Sequence, residues 1–275
     1  MSPIQTAAET AWCPGCGNHM ILKALPRAIE AAGVDPNDLV LVAGIGQAAK
    51  LPHYTRASMF NGLHGRALSH AFGIKVANHK LKVVVTSGDG DMYGEGGNHF
   101  VHNIRRNVSV TAFVHNNQVY GLTKGQASPT SDLGFRTKID THGVTSVPFN
   151  PIALAIVLDC PFVARTFCGD KEHMHETMVA ALKHVDGFAL VDILQPCPSF
   201  NRVNTYQWYR ERCRRVDGSH DPFDRARALE LAFRWGDSGA TEIPIGIIYR
   251  SNRPSYESQQ PVLKKGTLVE QFAHA

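Results

Sequence analysis

The stretch of residues 81–126 constrains the fold of this chain more than any other part of the sequence. An apolar, β-branched run at residues 81–85 predicts a buried strand, and an alternating run at residues 108–114 predicts a second strand. The residues from about 94 to 106, between these two runs, predict a helix. A strand–helix–strand crossover of this kind makes the two strands parallel neighbours. The stretch therefore predicts an α/β fold, a mostly parallel sheet with helices on both of its faces.

Polar residues follow each of these two predicted strands. A GDGD turn at residues 88–91 follows the first strand, and a double asparagine at residues 116–117 follows the second. Both groups would lie at the carboxyl edge of the sheet, where open α/β folds bind ligands. The glycines let the backbone approach a ligand closely, and the N-terminus of a helix favours phosphate. An Asp89 carboxylate oxygen, the Asn117 amide oxygen and a backbone carbonyl near Val119 would suit Mg²⁺, which prefers an octahedron of oxygen ligands. These residues predict a diphosphate held through a magnesium ion.

Seven short motifs in a fixed order extend this pattern along the chain. The GDG motif and the double asparagine are separated by 25 residues, a spacing that resembles the thiamine diphosphate signature. The motifs are WCPGCG at 12–17, GIG at 44–46, LHGRA at 63–67, GDGD at 88–91, GGNH at 96–99, NNQVYGLTKGQ at 116–126 and QPC at 195–197. Together they resemble the thiamine-diphosphate-binding β subunit of the 2-oxoacid:ferredoxin oxidoreductases. The resemblance runs from about residue 10 to at least residue 200, and the tail also looks like that family.

This resemblance implies an oxidoreductase that works with thiamine diphosphate and Mg²⁺. The implied reaction is the oxidative decarboxylation of a 2-oxoacid, such as 2-oxoglutarate or pyruvate, to an acyl-CoA and CO₂. In that family the electrons pass through an iron–sulfur cluster to ferredoxin, and the chain pairs with an α subunit in an αβ heterodimer or a dimer of heterodimers. An alternative is a subunit of a non-redox thiamine-diphosphate-dependent 2-oxoacid decarboxylase, which needs no cluster. A third interpretation is a zinc-stabilised interaction subunit without catalysis.

The CxxC turn at residues 13–16 suits an iron–sulfur cluster, zinc or redox exchange, and the turn alone does not decide between them. The family resemblance implies that Cys13, Cys16 and Cys197 ligate a 4Fe–4S cluster, with a fourth ligand directly after the GIG motif. That position is Gln47, and an amide is a poor ligand where thiolate is preferred. We favour a 4Fe–4S cluster with an unknown fourth ligand over a 3Fe–4S cluster or no cluster. We interpret the other cysteines as buried structural thiols: Cys160, Cys168 and Cys213.

Three side chains are implied by the resemblance as catalytic candidates. Lys50 and Lys124 could each hold a substrate carboxylate, and His64 could face the diphosphate or the aminopyrimidine ring. A surface lysine and a histidine packed under the loop are the plainer interpretations of Lys50 and His64. Two lysines favour a dicarboxylate such as 2-oxoglutarate, unless one of them binds the carboxylate that all these substrates share. The residues predicted to contact thiamine diphosphate are Gly46, Gln47, His64, Gly88, Asp89, Gly90, Asp91, Asn117, Val119, Gly121, Leu122 and Thr123.

The composition sets broad limits on function. Hydrophobic residues make up 43% of the 275 residues and charged residues 19%, which is typical of a globular protein. The net charge of +4 is small and does not indicate nucleic-acid binding, which calls for a concentrated basic stripe. The sequence contains no apolar run of about 18 residues, so we expect no membrane span. It starts without a secretory signal pattern, so we expect a cytoplasmic protein.

The rest of the chain continues the α/β pattern. Residues 1–200 are expected to form the thiamine-diphosphate-binding domain with its cysteine motif, and residues 201–275 an irregular extension that contacts the partner subunit. Residues 1–11 would be an arm on a partner or loosely ordered, and residues 127–150 a long ordered loop. Further strands are predicted at 39–43, 162–166, 188–194 and 243–249, and further helices at 20–32, 63–76, 152–158 and 171–185. After residue 200, strong apolar periodicity occurs only near residues 225–235.

The purified chain alone should not oxidise 2-oxoacids. Thiamine enzymes need a glutamate against the aminopyrimidine ring, and in the family that this chain resembles the α subunit supplies it. The measurement is 2-oxoacid-dependent reduction of ferredoxin, made with this chain alone and with the co-purified partner. Full activity from this chain by itself would contradict the inferred division of the site between two subunits.

Overall fold

In the part of the chain that the structure describes, eight strands form one sheet. This computed structural model describes residue 4, residues 6–235 and residues 242–273. The strands are β1 Leu39–Ala43, β2 Ser58–Asn61, β3 Lys82–Gly88, β4 Val110–Asn116, β5 Val119–Tyr120, β6 Gln126–Ala127, β7 Phe162–Phe167, β8 Ala189–Leu194, β9 Cys213–Arg215 and β10 Ile243–Arg250. The helices are α1 Asn18–Ala31, α2 Ala67–Ala77, α3 Gly97–Arg106, α4 Pro151–Val157, α5 Lys171–Lys183, α6 Tyr206–Arg212, α7 Arg225–Phe233 and α8 Leu268–Ala273. Strands β5 and β6 form a separate hairpin.

The large sheet has the strand order β2-β1-β3-β4-β8-β7-β10-β9. The pairs from β2 to β7 are parallel, β10 runs antiparallel to β7, and β9 pairs parallel with β10. The predicted crossover is confirmed, because β3 and β4 are parallel neighbours with α3 between them in the chain. Their carboxyl ends lie side by side, with Gly88 opposite His115. The predicted mostly parallel α/β sheet is therefore confirmed.

Helices cover both faces of the sheet, as predicted. On one face α1 and α5 pack together, and Ile21 of α1 shares a core with Met174 of α5. On the other face α2, α3, α4 and α7 bury a second core that includes Phe100. Strand β4 is buried along its full length because both of its faces are covered. Its residues alternate between the two cores, so that Phe113 belongs to the first and Val114 to the second.

The predicted elements differ from the observed ones mainly near the carboxyl edge. The ladder between β3 and β4 continues to Gly88, and β4 runs on to Asn116. The predicted helix at 94–106 is preceded by a π-helical turn at Gly90–Glu95, and α3 begins at Gly97. The predicted helix at 63–76 is wrong at its start, since α2 begins at Ala67 after a turn. The other predicted strands and helices are confirmed within two residues at each end.

The sequence does not predict β2, β5, β6, β9, α6 or α8. All four residues of β2 are exposed, so this edge strand shows no alternation of apolar and polar residues. Residues 128–150 contain no helix or strand, which confirms the predicted long loop. Within the described ranges, no helix has both the length and the apolar character needed to cross a bilayer.

The described N-terminal residues pack on the chain itself. The Arg56 N–H donates to the Ile4 carbonyl at 2.7 Å, and the Thr6 N–H donates to the Tyr54 carbonyl at 3.0 Å. Ile4 is buried in the first core, where it removes apolar surface from water. The prediction of loose order is therefore wrong for Ile4 and Thr6, whereas contact of residues 1–11 with a partner stays a prediction. Residues 1–3 and 5 lie outside the described part.

The predicted C-terminal extension contains regular strands and returns to the sheet. Strand β10 extends the sheet beside β7, and the residues after it cross the amino edge. There Asn107 Nδ2 donates to the carbonyls of Arg253 at 3.1 Å and Pro254 at 2.9 Å, and Oδ1 accepts from the Phe188 N–H at 3.0 Å. Asn107 ends α3 in the left-handed region, with φ +59°. Contact of this extension with a partner subunit stays a prediction.

Replacing Asn107 should show how strongly the extension is tied to the sheet. Asn107→Ala removes three buried hydrogen bonds and puts a Cβ-bearing residue at positive φ, so we expect it to lower the free energy of unfolding by about 2–4 kcal/mol. Asn107→Gly also loses the bonds but tolerates the backbone conformation, and should be about 1 kcal/mol more stable than Asn107→Ala. Urea denaturation followed by fluorescence measures both, with the exposed Asn37→Ala as control. Equal stability of the two variants would contradict the left-handed explanation.

Candidate active site

The carboxyl edge of β3 and β4 carries a cavity in which the sequence motifs meet. Its volume is about 80 Å³. The walls come from the loop after β1, the turn before α2, the turn after β3 and the segment that contains β5. This volume is well below the roughly 300–1,000 Å³ of ordinary ligand pockets. All residues predicted to contact thiamine diphosphate line the cavity: Gly46, Gln47, His64, Gly88, Asp89, Gly90, Asp91, Asn117, Val119, Gly121, Leu122 and Thr123.

The two candidate lysines do not belong to the cavity wall. Lys50 is half-buried in a 3₁₀ helix at Ala48–Tyr54, two residues after the wall residue Ala48. Lys124 is exposed in the turn between β5 and β6, directly after the wall residue Thr123, and has a left-handed φ of +81°. The structure thus places both lysines beside the cavity along the chain and outside its lining.

Asp89 is a buried carboxylate in the cavity wall, only 1% exposed. Its Oδ2 accepts hydrogen bonds from Ser128 Oγ at 2.5 Å and from Thr130 Oγ1 at 2.7 Å. Burial raises the pKa of Asp89 to about 6, although these hydrogen bonds act in the opposite direction. Among the described residues, no lysine, arginine or histidine forms an ion pair with it. The site therefore holds a carboxylate with hydroxyl donors and no cationic partner.

Sequence reasoning missed Ser128 and Thr130. They lie at the start of the 127–150 loop, which folds back beneath Asp89. The length of that loop is the only signal in the sequence, because hydroxyl residues are ordinary in a polar loop. Their contribution depends on a contact made about 40 residues away along the chain.

Asn117 connects the cavity to the cysteine motif. Its Oδ1 accepts from the Val119 N–H at 3.0 Å, and its Nδ2 donates to Gln195 Oε1 at 3.2 Å. Gln195 Nε2 in turn donates to Cys16 Sγ at 3.5 Å. Gln195 directly follows β8, the strand beside β4, and this pairing places its side chain next to Asn117. The two contacts fix which way the Asn117 amide faces.

The Asp91 side chain joins three of the sequence motifs. Its Oδ1 accepts from the N–H groups of Ile45 at 3.0 Å and Gly65 at 2.7 Å, and its Oδ2 accepts from Ser87 Oγ at 2.6 Å. His64 Nδ1 lies 2.8 Å from the same Oδ1, and the His64 side chain is 39% exposed. The carboxylate thus holds the GIG, LHGRA and GDGD turns around the cavity, with both of its oxygens occupied by protein donors.

The turn after β3 needs glycines because Tyr120 packs across it. A Cβ at Gly90 would collide with the Tyr120 ring, and a Cβ at Gly94 would collide with its hydroxyl. The hydroxyl donates to Glu95 Oε2 at 3.1 Å. Burial and the Glu95 carboxylate raise the pKa of Tyr120, which keeps the phenol protonated as a donor. Tyr120 therefore fixes the π-helical turn against the cavity wall.

Three cysteines converge beside the cavity. The Cys16 N–H donates to the Cys13 carbonyl at 3.1 Å, and the Gly17 N–H donates to the Pro196 carbonyl at 3.3 Å, so the CxxC turn packs on the loop that carries Cys197. Burial, together with the neighbouring thiols of Cys197 and Cys13, raises the pKa of Cys16 to about 11. All three thiols are free. Within residues 4, 6–235 and 242–273, no group of three His, Cys, Asp or Glu side chains is placed to hold a single metal ion.

Gln47 lies between the cysteine turn and the cavity. Its backbone oxygen accepts from Trp12 Nε1 at 2.8 Å, and Trp12 directly precedes Cys13. Its side-chain Oε1 is buried and accepts no hydrogen bond from the described residues. An unpaired buried acceptor is costly, so this oxygen lies where a donor or a metal would stabilise it.

The three remaining cysteines differ in how deeply they are buried. Cys160 and Cys168 are fully buried, as predicted, whereas the prediction for Cys213 is wrong, because this residue is half-buried on the edge strand β9. Cys168 lies behind the cysteine turn, since a Cβ at Gly17 would be 2.9 Å from its Sγ. The sequence gives no sign of this proximity, which arises from the pairing of β7 with β8.

The fold and the cavity define a thiamine-diphosphate-binding domain. Residues 41–193 match the family described as thiamine pyrophosphate enzyme, C-terminal TPP binding domain. Residues 197–265 match the family described as the C-terminal part of the pyruvate ferredoxin oxidoreductase beta subunit. The first match covers the residues that line the cavity, and the second covers α6, β9, α7 and β10, which follow in the chain.

Similar proteins identify the family more closely. The 2-oxoacid:ferredoxin oxidoreductase subunit beta of Saccharolobus solfataricus is 46% identical over 90% of this chain and 84% of that protein. The subunit beta of 2-oxoacid:ferredoxin oxidoreductase 2 of Aeropyrum pernix is 40% identical over 95% and 87%. The solved 2-oxoglutarate:ferredoxin oxidoreductase of Magnetococcus marinus, with 2-oxoglutarate, coenzyme A and succinyl-CoA bound, has a TM-score of 0.90 and 34% identity over 99% and 91%. The chain belongs to the β subunits of the 2-oxoacid:ferredoxin oxidoreductases, which confirms the family, fold and function predicted from the motifs.

Glycine at position 90 should be required for stability, whereas glycine at position 97 should not. Gly90→Ala pushes a methyl group into the Tyr120 ring, and we expect it to lower the free energy of unfolding by about 1–3 kcal/mol. Gly97→Ala meets no atom within 4 Å and lies in α3, so it should be neutral or stabilising by up to about 1 kcal/mol. Chemical denaturation compares the two variants. Equal stabilities would show that Tyr120 does not restrict the turn.

Proposed function

We propose that this chain holds the diphosphate of thiamine diphosphate through Mg²⁺ bound by Asp89, Asn117 and the Val119 carbonyl. The observation that carries the proposal is Asp89, a buried carboxylate without a cationic partner among the described residues. A buried charge of this kind costs several kcal/mol, on the order of the penalty for an unpaired ion, unless a cation neutralises it. A divalent ion at the cavity wall supplies that charge, and the carboxylate and amide oxygens are the donors that Mg²⁺ prefers.

The proposed reaction is oxidative decarboxylation of a 2-oxoacid to an acyl-CoA, with 2-oxoglutarate or pyruvate as substrate. Bound thiamine diphosphate supplies the nucleophilic ring carbon and the electron sink. The contribution of this chain is to hold the diphosphate, to orient the cofactor through its glycine turns and to exclude water from one wall. The ligands bound to the Magnetococcus marinus enzyme support 2-oxoglutarate and coenzyme A as the substrate classes. Lys50 and Lys124 are proposed to hold the substrate carboxylates from outside the cavity wall, and His64 to contact the cofactor from within it.

The proposed partner is an α subunit that completes the site in an αβ heterodimer or a dimer of heterodimers. The small volume of the cavity supports a second subunit that provides the rest of the binding surface. Apolar side chains near the cavity are exposed, and Leu63, next to His64, is 71% exposed. Met59 and Phe60 on β2 and Leu122 in the cavity wall are exposed as well. An apolar surface at the mouth of a site marks a binding face. Ferredoxin is the proposed electron acceptor.

We also propose an iron–sulfur cluster at Cys13, Cys16 and Cys197, with 4Fe–4S favoured over 3Fe–4S or none. The support is the convergence of three free thiols beside the cofactor cavity. A cluster separates its thiolates more widely than a single ion does, because irons and sulfides stand between them, so a spacing unsuited to one ion is compatible with it. Cys13, Cys16 and Cys197 would supply three of the four ligands, and the resemblance implies the fourth at the position of Gln47, whose Oε1 accepts no hydrogen bond from the described residues.

Cofactor analysis of the αβ complex purified without air tests both proposals. We expect bound thiamine diphosphate and Mg²⁺, about four irons per αβ unit and a reducible signal by electron paramagnetic resonance. About three irons with a signal already present in the oxidised complex would establish a 3Fe–4S cluster instead. Absence of iron would favour the non-redox decarboxylase.

Matched variants separate the two sites. Asp89→Asn should lose Mg²⁺ and thiamine diphosphate and keep its iron. Cys197→Ser should lose iron and keep thiamine diphosphate, and Cys213→Ser should keep both. An Asp89→Asn complex with undiminished Mg²⁺ and thiamine diphosphate would contradict the proposed magnesium site.

A further inference from the structure

A buried ion pair lies behind the candidate magnesium site. Arg165 of β7 and Asp192 of β8 face each other in register, and they are 1% and 0% exposed. Arg165 Nε lies 3.6 Å from Asp192 Oδ2, and no described residue accepts a hydrogen bond from Nε or Nη1. Burial raises the pKa of Asp192 and lowers that of Arg165, although each partner opposes the shift of the other. A buried pair with such poor geometry stabilises a fold little compared with apolar residues, so its presence calls for another explanation.

Polar contacts lead from this pair to the cavity wall. Asp192 Oδ1 accepts from Tyr93 Oη at 3.0 Å and from Asn116 Nδ2 at 3.2 Å. The Thr130 hydroxyl lies next to the other end of the Asn116 amide, 2.9 Å from Oδ1. The same hydroxyl lies 2.7 Å from Asp89 Oδ2. Asp192 is therefore joined to Asp89 through two intervening side chains, Asn116 and Thr130.

The donor and acceptor properties of these groups determine which atom of each side chain faces its neighbour. A carboxylate only accepts hydrogen bonds, so Asp192 turns Asn116 Nδ2 towards itself and leaves Oδ1 facing Thr130. The Thr130 hydroxyl has a single proton, and facing a carboxylate it donates this proton to Asp89 Oδ2 at 2.7 Å. Asn116 Oδ1, in close contact at 2.9 Å, then limits where the Thr130 oxygen can lie. A displaced Asn116 therefore moves the hydroxyl that contacts Asp89.

We propose that Asp192, oriented by Arg165, is a positioning residue for the magnesium ligand Asp89 and acts through Asn116 and Thr130. The inference rests on the proposed magnesium site. Mg²⁺ demands near-ideal octahedral geometry at about 2.0–2.1 Å, so a small displacement of one carboxylate weakens its binding. Partners behind a metal ligand typically change metal affinity by about 10–100-fold when they are replaced. Trp235 packs over the Arg165 guanidinium at 4.8 Å and holds it beside Asp192.

A double-mutant cycle on the αβ complex tests this chain of contacts. Asp192→Asn and Thr130→Val should each raise the Kd for Mg²⁺, titrated in the presence of thiamine diphosphate, by about 10–100-fold. Because both act on the same carboxylate, the double variant should bind about as weakly as the weaker single variant, and the effects should not multiply. Saturating Mg²⁺ should restore most of kcat, since the defect lies in metal binding. Thr130→Ser keeps the hydroxyl and should bind Mg²⁺ nearly as tightly as the wild type.

Thr111→Val provides the matched control. Thr111 lies on β4 and is buried, but its hydroxyl points to the Ala181 carbonyl at 3.4 Å, away from the cavity. This variant should keep the wild-type Kd for Mg²⁺. Asp192→Asn removes a buried charge, and if its complex is too unstable to assay, Thr130→Val against Thr130→Ser decides the outcome.

The outcomes separate this inference from the proposed function. Tight Mg²⁺ binding by wild type with an unchanged Kd in Thr130→Val overturns the positioning role, and so does a double variant whose Kd shows multiplied effects. Full wild-type activity after removal of Mg²⁺ and thiamine diphosphate overturns the proposed magnesium site itself.

Discussion

Buried negative charge is the constraint around which the carboxyl edge of the sheet is organised. Asp89 and Asp91 lie in the turn after β3 and Asp192 lies on β8, and each of the three is almost fully buried. Asp91 is stabilised by backbone N–H groups and a serine hydroxyl, and Asp192 by Arg165, a tyrosine and an asparagine. Of the three, Asp89 alone has neither a histidine nor an arginine beside it among the described residues, since His64 lies 2.8 Å from Asp91 and Arg165 lies 3.6 Å from Asp192. This difference is the reason why Asp89, and neither of the other two carboxylates, is the proposed metal ligand.

Much of this edge could be predicted from the sequence, because strand order and strand ends follow from a few rules. A crossover between β3 and β4 makes them parallel, and parallel strands bring their carboxyl ends together, so the GDGD turn and the double asparagine had to meet. The core strands and helices are equally visible through their apolar periodicity. Edge strand β2 cannot be predicted from apolar periodicity, since all of its residues are exposed.

The supporting contacts could not be predicted, because they join residues with no local pattern. Asp91 reaches backbone N–H groups at Ile45 and Gly65, which lie 46 and 26 residues away, and any residue type can offer an N–H. Ser128 and Thr130 are ordinary loop residues until the chain folds back under Asp89. Hydrogen bonds of this kind are set by three-dimensional placement, whereas periodicity reports only which face of an element is buried.

The Gln195 side chain contacts two chemically different regions. Its oxygen accepts from Asn117 at the cavity, and its nitrogen donates to Cys16 in the cysteine turn. The two regions therefore do not behave as interchangeable modules. A designer who grafted the WCPGCG turn onto another thiamine scaffold would need a matching glutamine after the equivalent of β8, or the transplanted cysteine and the asparagine would lose their shared partner. The same link implies that substitutions in either motif are tolerated only when Gln195 can still contact both Asn117 and Cys16.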